Sequence, residues 1–247
     1  MKSQVKVKVK VSDLTRYLIC PRLVYFNAKE HHEGMAKGKE RGFIESILLK
    51  ELAFNLHKFY GERKVDGPEP EPESEMEEEH AEWVIEDIVD GVERIYKEEL
   101  KGVEKDFFEE VKKDFIRNLS MSTKMENDDW LEKVRTENGL LELENAYGYE
   151  REHAMFSEKL SMSGSVDKLI RTEEEVIPCM IKTGKCPEYS VWKSDRVQLA
   201  AYAMLIEEEF GFENTVKRGC VEYIRNAKYR ETQISRRARR LAIETRT

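Results

Sequence analysis

Asp167 stands in the run Gly164-Ser165-Val166-Asp167, and Lys182 in Ile181-Lys182-Thr183-Gly184-Lys185. The hydrophobic pattern places them on two consecutive strands, joined by a polar turn from Arg171 to Glu175. Such a hairpin brings a carboxylate and an ammonium to one end of a sheet. The carboxylate can hold a divalent cation, and the ammonium can stabilise negative charge or orient an attacking water. Metal-dependent phosphodiester cleavage needs this pairing. Gln198 and Tyr202 follow at i, i+4 on a helix, and Asp195 shares their face. Each residue also has an ordinary alternative. From spacing alone, Asp167 reads as a turn or surface aspartate, Lys182 as a solvated lysine, and Gln198 with Tyr202 as an amphipathic pair.

The elements that must position these groups can be read from periodicity. Val5, Val7, Val9 and Val11 alternate with lysines, which predicts a half-buried or edge strand. Ser12 is a candidate N-cap for a helix through Leu14, Tyr17 and Leu18, and Pro21 interrupts that helix. A second helix is expected from about Met35 to Tyr60. Gly67-Pro68-Glu69-Pro70-Glu71-Pro72 opens an acidic, proline-rich loop. From about Met76 to Leu119 apolar residues recur at helical spacing, with Gly91 and Gly102 as dividing points. After about Leu140 the pattern turns to strands at Ala154–Leu160, Met162–Ile170 and Val176–Lys182. A helix from about Ser190 to Phe210 follows, ended near Gly211. Two more strands, Val216–Ile224 and Arg230–Ser235, precede a basic helix. The expected fold is α/β (α+β). An N-terminal segment, 1–61, joins a sheet core, 146–247, around a helical insertion, 62–145, whose acidic loop is 62–80.

The chain of 247 residues carries a net charge of −8, placed unevenly. Glu62 to His80 holds nine acids against two bases, whereas Lys217 to Thr247 holds ten bases against three acids. A local basic face can attract phosphate despite an acidic total. No run of about 18 apolar residues is present, so no membrane span is expected. Met1 to Val11 lacks an apolar signal-peptide centre, which points to the cytoplasm. The four cysteines, Cys20, Cys179, Cys186 and Cys220, form no CxxC pair. A conventional zinc site is not expected, and reduced thiols are, with Cys179 and Cys220 as buried apolar groups in strands.

Taken together, Gly164-x-x-Asp167, Pro178-Cys-Met-Ile-Lys182-Thr-Gly-Lys185 and Gln198-Leu-Ala-Ala-Tyr202 resemble the core of RecB-like nucleases, the PD-(D/E)XK group. The similarity is greatest to the CRISPR-associated exonuclease family, the fourth Cas family. Cys20-Pro21-Arg22 with Tyr25-Phe26 resembles that family's N-terminal segment, and Gly219-Cys-Val-Glu-Tyr223 one of its strands. The resemblance implies a restriction-endonuclease-like mixed sheet flanked by helices. It implies Mg²⁺ or Mn²⁺ held by Asp167, with Lys182 supporting the attacking water or the phosphate. Gln198 and Tyr202 would orient the site and the strand. The implied activity is exonucleolytic processing of single-stranded DNA ends before spacer acquisition, beside the CRISPR integrase.

Three departures from the family pattern bear on that activity. The E-x-K glutamate falls on Met180, and a thioether is a poor ligand for a hard cation. Glu45, in Arg41-Gly42-Phe43-Ile44-Glu45, takes the place of the family's G-x-x-H histidine. It is a second candidate metal ligand, or else an ordinary helix glutamate. Of the family's four iron–sulfur cysteines only Cys20 is matched, since the chain ends within the helix after Ser235. No cluster is expected in this chain as given. Arg236, Arg237, Arg239 and Arg240 can track a phosphate backbone or form a solvated helix face. Tyr189 and Trp192 are candidates for stacking on a base, with core packing the alternative for Trp192. Three functions follow: a metal-dependent exonuclease, a non-catalytic DNA- or partner-binding member of the same fold, and an interaction protein acting through Glu62–His80.

Overall fold

The computed structural model describes residues 9–30, 40–60, 74–124, 143–144, 146–211 and 216–246. In chain order the elements are β1 (Val9–Lys10), α1 (Val11–Ile19), α2 (Pro21–Glu30), α3 (Glu40–Phe54), α4 (Ser74–Ile95), α5 (Lys105–Lys124), β2 (Glu150–Ser157), β3 (Met162–Arg171), β4 (Val176–Lys182), α6 (Lys193–Phe210), β5 (Arg218–Tyr223), β6 (Lys228–Gln233) and α7 (Arg236–Arg246). Two short 3₁₀ turns, Leu56–Tyr60 and Ile224–Asn226, are also present. The chain divides into two units. One comprises Met1–Gly34, Ala146–Tyr223 and Tyr229–Thr247, and the other Met35–Asn145 with Ile224–Lys228.

The first unit is built on a mixed six-stranded sheet. β3 is antiparallel to both β2 and β4, and parallel to the short β1. β4 runs parallel to β5, and β6 closes the order. Parallel neighbours need a crossover, and α6 supplies it between β4 and β5. This is the mixed α/β architecture expected from the sequence. β4 is buried from Val176 to Ile181, as a central strand covered on both faces must be. α6 buries Val197 and every residue from Leu199 to Ile206, and Gly211 ends it in the left-handed conformation at φ 60°.

Close backbone approach decides one glycine. A Cβ on Gly164 would lie 2.9 Å from Cε1 of Tyr202 and 3.0 Å from Val11. Only hydrogen fits there, so β3 can carry α6 and α1 directly on its surface.

The second unit packs α3, α4 and α5 around Ile44, Leu48, Leu52, Val84, Ile88, Val92, Phe108 and Val111. Among its described residues Glu51 is buried, and its carboxylate accepts bonds from Tyr96 Oη (3.1 Å) and Asn55 Nδ2 (2.9 Å).

Several expectations are corrected. Val11 begins a helix rather than ending a strand, and Lys10, not Ser12, holds the N-cap position of α1. Ser12 instead accepts a bond from Arg16. Gly91 does not divide the helical region, because α4 runs through it with Val89 and Val92 buried on either side. Gly102, at φ 93°, lies in the break between α4 and α5. Cys179 and Cys220 are not separate thiols. The parallel register sets them opposite each other with Cα atoms 4.6 Å apart, and they are joined as a disulfide. The proline-rich segment 67–72 lies outside the described residues, as do Val5 and Val7. The acidic stretch is described from Ser74 onward, as the start of α4.

Candidate functional site

Asp167, Met180 and Lys182 share one face of the sheet. Strand alternation places them there, since β3 and β4 pair Lys168 with Cys179 and Leu169 with Pro178. The same face is covered by α6, which presents Asp195, Gln198 and Tyr202 along i, i+3, i+7. α1 packs on α6 and adds Thr15.

These groups form a connected polar chain. Asp167 Oδ2 accepts the backbone N–H of Ile181 at 2.9 Å, which ties the carboxylate to β4. Lys182 Nζ donates to Gln198 Oε1 at 2.8 Å and lies 3.3 Å from Asp195 Oδ1. Gln198 Oε1 also accepts from Thr15 Oγ1 at 3.0 Å, and its Nε2 donates to Tyr202 Oη at 3.2 Å. Tyr202 Oη in turn donates to the Ser165 carbonyl at 2.8 Å. At the far end Tyr223 Oη donates to Asp195 Oδ2 at 2.9 Å. Burial pushes the Tyr202 hydroxyl well above the ordinary tyrosine range, and the Asp167 charge acts in the same direction. The Tyr223 hydroxyl is raised likewise, first by burial and then by the Asp195 carboxylate.

The chain of bonds ends in a cleft of about 550 Å³ within the first unit. Its lining includes Lys182, Lys185, Lys193, Asp195, Trp192 and Tyr223, with Leu18 and Ile19 of α1. Trp192 is 48% exposed at the entrance to α6, not packed in the core, and its Nε1 donates to the Lys185 carbonyl at 3.1 Å. Tyr189 is exposed beside it in the chain.

The remaining sequence candidates stand apart from this chain of bonds. Arg236, Arg237 and Arg240 of α7 are exposed. Arg239 is occupied within the fold, with its guanidinium on Glu207 at 2.6 and 2.8 Å and on the Val216 carbonyl at 2.7 Å. Glu45 belongs to the second unit, where Arg41 (3.4 Å) and Arg225 (3.5 Å) flank its carboxylate. Cys20 is a half-buried free thiol between α1 and α2. Thr15, Asp195 and Tyr223 emerge as members of the network. Asp195 was legible as a neighbour of Gln198, but Thr15 and Tyr223 arrive only through tertiary packing.

A divalent cation of the magnesium type needs oxygen donors. Asp167 offers a carboxylate already engaged with Ile181, and Asp195 is ion-paired with Lys182. Met180, 1% exposed, lies in the apolar cluster with Leu169, Val197 and Val221. Among the described residues no group of three or more His, Cys, Asp or Glu side chains converges as a metal cage. Among the described residues the donor set does not fit a cation held by the protein alone.

On the other face of the sheet Lys168 is fully buried, bonded to Glu222 at 3.0 Å, with its ammonium 5.0 Å from the Tyr149 ring centroid. This pair links β3 to β5 and is not part of the bonded network of the site.

No helix among the described residues is long and apolar enough to cross a membrane. No protein-family model matches the chain. A stretch of 95 residues is 32% identical to a CRISPR-associated exonuclease Cas4/endonuclease Cas1 fusion of Leptospira interrogans. The match covers 36% of this chain and 17% of that protein's length, so the similarity supports a Cas4-like relationship and reaches no further.

Proposed function

We propose that this chain is a nuclease-type protein of the CRISPR setting that grips single-stranded DNA ends, with the strand-binding part of its site complete and the metal-binding part depleted. The observation that carries this reading is the cleft. Three lysines and an exposed tryptophan line it, directly beside the Asp167–Lys182–Gln198–Tyr202 network. Cationic walls draw the phosphates, and an aromatic face accepts a base without sequence preference. The exposed Arg236, Arg237 and Arg240 extend the same chemistry, and an endonuclease of the Cas1 type is the partner that the fusion relative suggests.

A second reading, a metal-dependent exonuclease, is favoured by a specific observation. Asp167, Lys182, Gln198 and Tyr202 are all present, and all belong to one bonded network or to the strands that carry it. What opposes it is Met180, a thioether in the place of a carboxylate. One experiment separates the two. Labelled single-stranded DNA is incubated with Mn²⁺ and either the wild type or Met180→Glu, with binding measured in parallel in chelator. The binding reading expects Mn²⁺-independent binding by both proteins and cleavage only by the variant. Cleavage by the wild type at the variant's rate establishes the exonuclease, and absence of DNA binding overturns both readings.

A further inference from the structure

We infer that the cleft beside Lys182 is a pocket for one whole nucleotide, base and phosphate together, rather than a groove that follows backbone alone. This inference rests on the DNA-binding reading above and adds what the cleft selects.

Size is the first argument. A volume of about 550 Å³ is too large for a phosphate alone and falls in the range of pockets that enclose a small organic ligand. The second argument is the composition of the lining. Leu18, Ile19, the Trp192 indole and the Tyr223 ring supply apolar and aromatic surface. Lys182, Lys185 and Lys193 supply three positive charges against the single carboxylate of Asp195. Lys182 is already balanced by Asp195, so the uncompensated charge sits on Lys185 and Lys193. Neither is paired with a carboxylate among the described residues. A ligand that meets both kinds of surface carries a flat, stackable ring and an anion, which describes a nucleotide.

The third argument is the fixed position of the aromatic wall. The bond from Trp192 Nε1 to the Lys185 carbonyl ties the indole to the loop that carries one of the two unbalanced lysines. The stacking surface and that phosphate contact therefore move together. A ring held in this way loses little freedom when a base settles on it.

The inference is tested by displacing a fluorescent oligodeoxythymidylate from the full chain, in chelator, and following anisotropy. dAMP, deoxyadenosine and inorganic phosphate are the competitors. dAMP is expected to displace the strand at least about tenfold more effectively than either fragment, since stacking and charge contribute jointly. Trp192→Ala and the double variant Lys185→Ala/Lys193→Ala are each expected to weaken dAMP about tenfold, and Trp192→Phe to restore most of the loss. Both substituted regions lie at the exposed rim, and circular dichroism verifies that the variants fold. If phosphate competes as well as dAMP, the cleft is only an anion site and the inference fails. It also fails if the strand binds but millimolar dAMP does not displace it, and the DNA-binding reading then survives. If neither strand nor nucleotide binds, both fall.

Discussion

Lys182 and Asp195 form an ion pair at the edge of the cleft, with Nζ 3.3 Å from Oδ1, and 26% of the lysine side chain but only 6% of the aspartate side chain is exposed. A carboxylate so buried is tolerated because an ammonium and the Tyr223 hydroxyl both face it. The pair gives the network a cation of its own.

Removing one partner should therefore be worse than removing both. Asp195→Ala strands Lys182 and leaves the Tyr223 hydroxyl without its acceptor, and is expected to lower stability by about 3 kcal/mol. The double variant Asp195→Asn/Lys182→Met should recover most of that loss. Urea unfolding of the single and double variants checks the ordering.

Restoring a carboxylate at position 180 should have a cost in stability. Met180 is 1% exposed in an apolar cluster, on the sheet face that also carries Asp167. Met180→Glu buries a charge without a protein partner, and a loss of about 3 kcal/mol is expected at neutral pH. Millimolar Mn²⁺ should return part of it if the new carboxylate binds the cation. Thermal melts with and without Mn²⁺ measure both effects.

Alkaline pH should act through two tyrosines. The hydroxyls of Tyr202 and Tyr223 are raised above the ordinary tyrosine range in the folded chain. In the unfolded chain they ionise near pH 10. Above that pH the unfolded state holds fewer protons than the native state. The contribution is thus complete below about pH 10 and is lost as pH rises further. Tyr202→Phe should flatten this decline while lowering stability at pH 7 by about 1 kcal/mol, through the unmet Ser165 carbonyl and Gln198 amide. Denaturant titrations from pH 8 to 11 give both readouts.

The α7 arginines should separate into two classes. Arg239→Ala breaks the contacts to Glu207 and Val216 and is expected to cost about 2 kcal/mol. Arg236→Ala, Arg237→Ala and Arg240→Ala should leave stability within about 0.5 kcal/mol. If they contact DNA, they reduce affinity evenly across sequences and lower the salt slope by about one each. Melting curves and salt-dependent anisotropy distinguish the classes.

The sheet and its crossover helix were readable because β3, β4 and α6 are long, strongly patterned and bounded by turn residues. Periodicity also placed Gln198 and Tyr202 on one face, and they are bonded to each other. Short-range signals were weaker where long-range packing decides. The N-terminal alternation of valine and lysine implied a strand through Val11, yet Val11 is drawn into α1, where it is fully buried against Gly164. Thr15 meets Gln198 across 183 positions of sequence, and no local pattern announces such a contact. The pairing of Cys179 with Cys220 likewise depends on the parallel register of β4 and β5, which spacing alone does not reveal. Trp192 was ambiguous because an aromatic just before a helix suits either a core or a cleft.

α6 is also the covalent link between the parallel neighbours β4 and β5. Gln198 and Tyr202 thus sit on the segment that the sheet requires for its own closure. Local opening of the site would separate that helix from the sheet and expose nearly all of its apolar surface. Amide hydrogens from Val197 to Ile206 should therefore exchange only with global unfolding, at the slow end of the protein. The cleft takes only the first turn of this helix, Lys193 to Asp195, so a ligand there leans on an element anchored by its buried remainder, and little of its affinity is spent on ordering that support.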